Sequence, residues 1–410
     1  MSNSVHLNDP HLTQTPGFRA AGVTCGLKDG IALDLALIRA DTPCAAAAVF
    51  TTNCVKAAPV LYDQALLQAG NPIQAVVINS GNANACTGEQ GQADTAQMAR
   101  LVGKAVGIDA GAVWVMSTGV IGLPLPMDKI AAGIEAAGEM LTVDGGHAAA
   151  RAIMTTDTRP KEAAVRVRVG GKTVTIAGMC KGAGMIHPNM ATMLATIVTD
   201  ARVERETLQQ ALIDVVGRTF NMITVDGDTS TNDTVLLLAN GLAGNPALSG
   251  VDSAGYAAFV AGLEAVALTL AQAIVRDGEG ATKFVAIQVT GAKHFEAARQ
   301  VGKAIAHSNL VKTAIYGEDA NWGRVICAAG YSGVEIDPAR LSLWMENEVD
   351  ALHLLKDGAP FEIDEPRAAR ILAEDHVTFR LDLGQGRAEA TVWTCDLTHA
   401  YVDINAHYRT

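Results

Sequence analysis

Aromatic residues are scarce in this chain. Phe, Trp and Tyr together make up 4% of its 410 residues. Basic residues are also in the minority, 31 Lys and Arg against 43 Asp and Glu, and the formal net charge is −12. Nucleic-acid surfaces are built from a positive field and stacking rings, and a chain short of both excludes that class of partner. Cysteine numbers seven, scattered as Cys25, Cys44, Cys54, Cys86, Cys180, Cys327 and Cys395, with no C-x-x-C pair. An odd, dispersed set is neither a disulfide framework nor a zinc pattern. It fits a reducing cytoplasm, the location expected. The histidines include no H-E-x-x-H spacing, and His6 and His11 fall in an N-terminal tail expected to be mobile. The first 18 residues lack the basic and apolar regions of a secretory signal. The longest apolar run, residues 261–275, carries Glu264 and falls short of the ~20 residues that cross a bilayer. No membrane role is expected.

What is present is apolar and glycine-rich. Hydrophobic residues are 49% of the chain and glycines number 40, enough for two or three domains with sizeable cores. "AVVINS" (75–80) and "AVWVMS" (112–117) read as buried strands, with a helix over 94–106 between them. "MDKIAAGIEAAGEML" has helical spacing. "AAVRVRVGGKTVTIAG" alternates around Gly170 and Gly171 and reads as a hairpin. Helices follow near 208–220 and 253–275, the second opened by cap-like Asp252 and Ser253. A smaller unit closes the chain, with a strand at "TKFVAIQV", a helix near 295–306 and a hairpin "VTFRLDLGQGRAEATVWT". The acidic "EIDEP" (362–366) reads as a solvated loop. Strand–helix alternation mixed with hairpins predicts mixed sheets with covering helices.

Several motifs fail on inspection. "GGKT" at 170–173 lacks the upstream glycine of a phosphate loop, since position 166 is Arg166. "GAGMIH" from Gly182 has His187 where a dinucleotide fingerprint needs glycine. "DGDTSTND" (226–233) alternates carboxylates as a calcium loop does, but lacks its central Gly and closing Glu. It reads first as a polar turn with capping hydroxyls before the strand "TVLLLAN", with a site-lining role as the lesser alternative. No metal and no organic cofactor is expected.

One stretch is chemically suggestive. "KGAGMIHPNMATMLATIVTD" (181–200) takes a Gly- and Pro-shaped loop directly into an apolar strand, with Ala191 and Thr192 at the junction. Threonine becomes a competent nucleophile when it is a chain N-terminus and its own α-amine serves as base. An internal threonine reaches that state by attacking the carbonyl before it, shifting the acyl group from N to O, and losing it to water. A small preceding residue, a turnable backbone and a rigid following element all suit this chemistry. On spacing alone, a buried threonine at a loop-to-strand boundary is the simpler reading.

The segment closely resembles the cleavage motif of the ornithine acetyltransferase family. So do "GFRAAGVTCGLK", "AVFTTNCVKAAPV", "INSGNANACTG", "MSTGVIG", "TVDGDTSTNDTV", "YGEDANWGR" and "CDLTHAYVDINAHYRT", in family order along nearly the whole chain. The resemblance implies self-cleavage between Ala191 and Thr192 into chains 1–191 and 192–410, with Thr192 as nucleophile. It implies an oxyanion hole at Thr118 and Gly119, which by themselves read as an ordinary turn. It implies substrate contacts at Thr155, Lys181, Thr192, Glu279, Asn405 and Thr410. Read alone, Lys181 and Glu279 are equally well solvated loop charges, although a local cation near a substrate carboxylate is sensible in so acidic a chain. The implied reaction moves acetyl from N²-acetyl-L-ornithine to L-glutamate in arginine biosynthesis; some family members also take acetyl-CoA as donor, as a co-substrate. The implied fold is a layered αββα sandwich over residues 1–284 with a smaller C-terminal α/β domain over 285–410, and the implied assembly is α2β2. An autoprocessed amidase or aminopeptidase with an N-terminal threonine, and a non-catalytic binding protein with an intact chain, are the alternatives.

Overall fold

In the computed structural model, which describes residues 4–187 and 193–407, a single strand belongs to two sheets at once. β3 (Leu35–Phe50) is 16 residues long. Its first half pairs with β2 (Phe18–Val23) and β4 (Ile73–Asn82), and its second half with β9 (Thr234–Ala239). The register breaks between Arg39 and Cys44, where the strand passes from one half of the array to the other. One half continues from β4 to β5 (Val113–Val120). The other runs from β9 through β8 (Leu194–Thr199), β7 (Lys172–Lys181) and β6 (Lys161–Val169) to β1 (Val5–His6). β4 with β5 and β8 with β9 are parallel, and the remaining pairs are antiparallel. These are mixed sheets, as expected.

Three buried layers separate four structural ones. Met98 and Val102 of α2 (Gly88–Val106), with Ile130 and Ile134 of α3 (Met127–Glu139), pack on Val77, Val113 and Val115. On the opposite face of the same strands, Ile78, Trp114 and Met116 meet Met179, Leu194, Val198 and Leu236 of the other half. Ala149 and Ala150 of α4 (Gly146–Ala152) join that middle layer. Beyond it, α5 (Arg205–Arg218) and α6 (Tyr256–Arg276) cover Val165, Ile176, Ile197 and Leu237. The order is α, β, β, α. Alternation along β5 sends Val113 and Val115 to one layer and Trp114 and Met116 to the next. Each such burial is worth ~1.5–3 kcal/mol, so a one-residue slip, which would exchange the faces, is strongly disfavoured. β6 and β7 form the expected hairpin, turned by Gly170 and Gly171 at φ 54° and 83°. α1 (Ala58–Ala69) lies beside β5, and Asp63 Oδ1 accepts from the Val115 amide.

A separate sheet of six strands begins at Phe284. Its order is β13 (Ala359–Pro360), β12 (Ala351–Lys356), β11 (Ser342–Glu346), β14 (His376–Asp382), β10 (Phe284–Ala292) and β15 (Ala388–Cys395). Its Val285, Ile287, Leu343, Met345, Phe379 and Leu381 are buried with apolar residues of α7 (Phe295–His307), α8 (Asn309–Tyr316), α9 (Trp322–Gly330) and α10 (Glu365–Leu372). The last helix, α11 (His399–His407), has no buried residue among those described.

Several expectations need correction. β14 and β15 are not a hairpin, because β10 lies between them, parallel to one and antiparallel to the other. Val285, Ile287 and Val289 of β10 are buried and both of its edges are paired; the Gly384 loop wraps its end, with the Leu383 amide donating to Thr290 O and the Gln385 amide to Gly291 O. Of "EIDEP", residues 362–364 are a largely exposed loop as expected, but Glu365 and Pro366 open α10, whose N-cap Asp364 Oδ1 accepts from the Arg367 amide. α6 is opened by Gly255 at φ 95°, with no side-chain cap, and Ser253 Oγ instead accepts from the Ser249 amide. α2 begins at Gly88, earlier than expected, its first turn tied down by Asn84 Nδ2 donating to Gly91 O. The N-terminal segment is anchored: His6 pairs with Val165, and the His11 ring lies 4.8 Å from that of His147. By length and composition alone α6 could cross a bilayer, contrary to the reading of its sequence. Its apolar face is buried against β6 and β7.

Candidate active site

A cavity of about 220 Å³ opens where the C-terminal ends of β5 and β7 meet the start of β8. It gathers residues far apart in sequence. Thr118 and Gly119 come from the end of β5, Thr155 from the loop after α4, and Lys181 from the end of β7. Glu279 comes from the loop between α6 and β10, and Asn405 from α11. Six of the residues expected at the site therefore share one wall. The tail does fold back, and Asn405 Nδ2 donates to Glu279 Oε2 at 2.7 Å. Ala191, Thr192 and Thr410 lie outside the described residues. Ile186 and Met193, on either side of the Ala191–Thr192 bond, both line the cavity.

Gly119 is required by close packing. It faces Gly81 across the parallel β4–β5 pair at φ 132°, and a Cβ there would lie 2.3 Å from the Gly81 carbonyl carbon. Lys181 and Glu279 are not solvated charges. They are 9% and 8% exposed. Lys181 Nζ donates to Thr118 Oγ1 at 3.2 Å. Burial pushes the Lys181 ammonium below the ordinary lysine range, against the pull of the Asp157, Asp233 and Glu279 carboxylates.

Beneath the wall lies a buried ion cluster that the sequence reading missed. Lys161 Nζ donates to Asp157 Oδ1 at 2.6 Å and to Asp277 Oδ2 at 2.5 Å. Asp157 Oδ1 also accepts from the Gly182 amide at 2.7 Å, and Oδ2 from the Thr155 amide at 2.9 Å. Burial alone would raise the Asp157 pKa; Lys161, Lys181 and the Gly182 N–H outweigh it and hold the group down to about 2. Asp277 ends α6 and also accepts from the Thr158 amide and hydroxyl. One cluster thus fixes Thr155, the loop after β7, and the turn that carries Glu279.

The 226–233 segment is also part of the site, not a bland turn. Asp226, Asp228 and residues 230–233 line the cavity. Asp226 accepts from the amides of Met185 (2.6 Å) and Ile186 (2.9 Å) and from the Tyr401 hydroxyl (3.3 Å), so it pins the loop on the N-terminal side of Ala191. Asn232 Nδ2 donates to Ala83 O and Ser117 O, fastening this loop to the end of β5. Asp233 is buried, its Oδ2 has no hydrogen-bond partner among the described residues, and burial raises its pKa well above the usual carboxylate value. A signal was available. In sequence, both this segment and 181–192 are polar stretches ahead of apolar runs, and the strands those runs form, β9 and β8, are parallel neighbours.

The model of the ArgJ family matches residues 19–410. The arginine biosynthesis bifunctional protein ArgJ of Symbiobacterium thermophilum is 55% identical over 401 residues, covering 97% of this chain and 98% of that protein. This chain belongs to the ArgJ family. The ArgJ of Thermotoga neapolitana is 50% identical over 396 residues, 96% of this chain and 99% of its own. A solved chain of the Bacillus halodurans ArgJ is 44% identical with a TM-score of 0.49; the match spans 52% of this chain and 97% of that one. As a family member the protein is an acyltransferase of arginine biosynthesis.

Proposed function

We propose that the protein moves the acetyl group of N²-acetyl-L-ornithine to L-glutamate through an acetyl-threonine on Thr192. One observation carries this reading: Thr118, Gly119, Lys181, Glu279 and both flanks of the Ala191–Thr192 bond converge on one small cavity. Self-cleavage frees the Thr192 α-amine, which titrates near ~7.7–8.0 in an unperturbed chain and serves as general base. The hydroxyl loses its proton to that amine and attacks the acetyl carbonyl. The oxyanion is held at Thr118 and Gly119. Collapse breaks the C–N bond, the ammonium returns its proton to the leaving nitrogen, and ornithine departs. The glutamate amine then attacks acetyl-Thr192, and the same proton path restores the threonine. Glu279, oriented by Asn405, is placed to receive a substrate amine. Because the relatives are described as bifunctional, we propose acetyl-CoA as a second donor, and assembly of the cleaved pairs as α2β2.

Denaturing mass spectrometry of freshly purified protein tests the first step, with chains 1–191 and 192–410 expected. Thr192→Ala should remain one inactive chain. Incubation with N²-acetylornithine and glutamate should yield N-acetylglutamate and ornithine. Release of plain acetate instead would identify an amidase, and an uncut, inactive wild type would refute the proposal.

A further inference from the structure

Among the described residues, Lys28 does not line the cavity, yet its ammonium reaches a loop that does. Its own base is fixed. Buried Asp34, just before β3, accepts from the amides of Cys25, Gly26, Leu27 and Lys28 at 2.6–3.1 Å, so this turn is wrapped round one carboxylate. Lys28 Nζ donates to Leu33 O at 3.0 Å and to Met154 O, 126 residues away in sequence, at 2.6 Å. Met154 O belongs to the peptide unit that leads into Thr155. The N–H of that same unit donates to Asp157 Oδ2 at 2.9 Å. One peptide plane is thus held by an ammonium at its carbonyl and by a carboxylate at its amide. Hydrogen bonds with an ionised partner are roughly twice as strong as neutral ones, and these two polarise the peptide between them in the same sense. Ser80 Oγ adds a third tie to the loop, donating to Ala152 O at 2.6 Å. Thr155, which the clamped peptide carries, lines the cavity.

From this geometry we infer that Lys28 is a positioning residue for substrate binding: it fixes the peptide plane between Met154 and Thr155, and so the direction in which Thr155 meets the substrate, without touching the substrate itself. The inference rests on the reading that Thr155 contacts the substrate in this cavity. Thr155 lies in the segment between α4 and β6, where no helix or sheet ladder sets the peptide planes. The two ionic ties take the place of a ladder there. Threonine is also stiff at χ1, so once its backbone is set its hydroxyl has few directions open to it. Asp157 belongs to the buried cluster with Lys161, and Lys28 belongs to the turn built on Asp34. Thr155 is therefore aimed by two supports that reach it from different parts of the chain.

Steady-state kinetics of acetyl transfer from N²-acetylornithine to glutamate, on Thr155→Val, Lys28→Met and their double variant, test the inference, with the urea midpoint of each variant measured alongside. Thr155→Val removes the hydroxyl at nearly constant shape and should raise KM about tenfold, the effect of leaving one bound polar group unpaired. Lys28→Met should raise KM for the same substrates by about three- to tenfold with kcat within about threefold of wild type, the signature of binding lost equally from ground and transition states. The double variant should be no worse than the poorer single one, because with the hydroxyl gone its direction no longer matters. A lysine that only holds the fold together would give a lower midpoint with KM unchanged, and that outcome overturns the inference. KM losses that multiply in the double variant also overturn it, since Lys28 would then act on the substrate independently of Thr155. So does a Thr155→Val enzyme with wild-type KM, which removes the contact the inference rests on. If Lys28→Met does not fold, Lys28→Gln, shorter and neutral, takes its place under the same criteria. A Lys28 variant that stays uncut while Thr155→Val is cut would tie the lysine to self-cleavage and likewise overturn the inference. A wild type that stays uncut or transfers no acetyl group refutes the underlying function instead, an outcome the variants do not affect.

Discussion

Gly184 and Glu279 pack with no room for a side chain between them. A Cβ on Gly184 would lie 2.3 Å from the Glu279 carboxyl carbon, and the Glu279 amide donates to Ala183 O at 3.0 Å. The loop leading to Ala191 and the turn carrying Glu279 are therefore one packed unit. In Gly184→Ala the carboxylate must leave its place beside Asn405. A displacement of about 1 Å at a positioned group can cost ~10²-fold in rate, and a loss of that order in kcat/KM is expected with the fold intact by circular dichroism. Activity within twofold of wild type would mean that Glu279 has no positional role.

Lys161 neutralises two buried carboxylates, Asp157 and Asp277, and is itself 2% exposed. Lys161→Met leaves both acids buried without their shared counter-charge, and Asp277 keeps only the exposed Arg159 at 3.8 Å as a cation. Removing one partner of such a cluster typically costs ~3–5 kcal/mol, to be read as a drop in the denaturant midpoint with an unchanged slope. Adding Asp157→Asn should recover part of the loss. A cost below about 1 kcal/mol, the range of a surface pair, would show that water reaches the cluster. Asp157 also gives a sign for acid. Its pKa is depressed to about 2 in the fold, so its contribution is present above the unfolded value of ~3.9 and is lost as pH falls from there toward 2.

How far the sequence leads depends on how local the cause is. β5 and the β6–β7 hairpin were legible, because apolar alternation and the paired Gly170 and Gly171 act within a few residues. The layering was reached through resemblance to a family and is visible physically only once β3 pairs with both halves. The relation of β14, β10 and β15 was not legible, since a hairpin and an inserted strand share one pattern. Nor was the buried cluster: Asp277 lies 116 residues from Lys161, and nothing about either residue alone marks it as buried. For 226–233 the site-lining role ranks second in sequence, because the composition is that of any turn. What sets it apart is the parallel pairing of Leu194 with Thr234, which brings it beside the residues that follow Thr192.

Asp226 collects amides from both sides of the site. Oδ1 accepts from Ile186 and Asp228, and Oδ2 from Met185 and the Tyr401 hydroxyl. In Asp226→Asn one acceptor becomes an NH₂ group facing another donor. An unsatisfied buried group costs ~1–3 kcal/mol, and here the cost falls on the segment before the proposed cleavage site. On that proposal self-cleavage is expected to slow, leaving a full-length mass beside the two fragments in a time course of denaturing mass spectrometry. Cleavage complete at the wild-type rate would show that the loop is held without this carboxylate.

Asp63 provides a pH test independent of the site. It is buried on α1, where Oδ1 accepts from the Val115 amide and Oδ2 has no partner among the described residues. Burial raises its pKa well above the ordinary value. A raised carboxyl is protonated in the fold and ionised in the unfolded chain once the pH passes ~3.9. The unfolded state then binds fewer protons, so this group's stabilising contribution is complete below that pH and declines as pH rises toward its folded pKa. Asn at this position keeps an acceptor for the Val115 amide and does not titrate. Urea midpoints at pH 4.5, 6 and 7.5 should therefore move in favour of Asp63→Asn, relative to wild type, as pH increases. A gap that is constant or moves the other way would show that Asp63 is ionised within the fold and has a counter-charge or water that stabilises it.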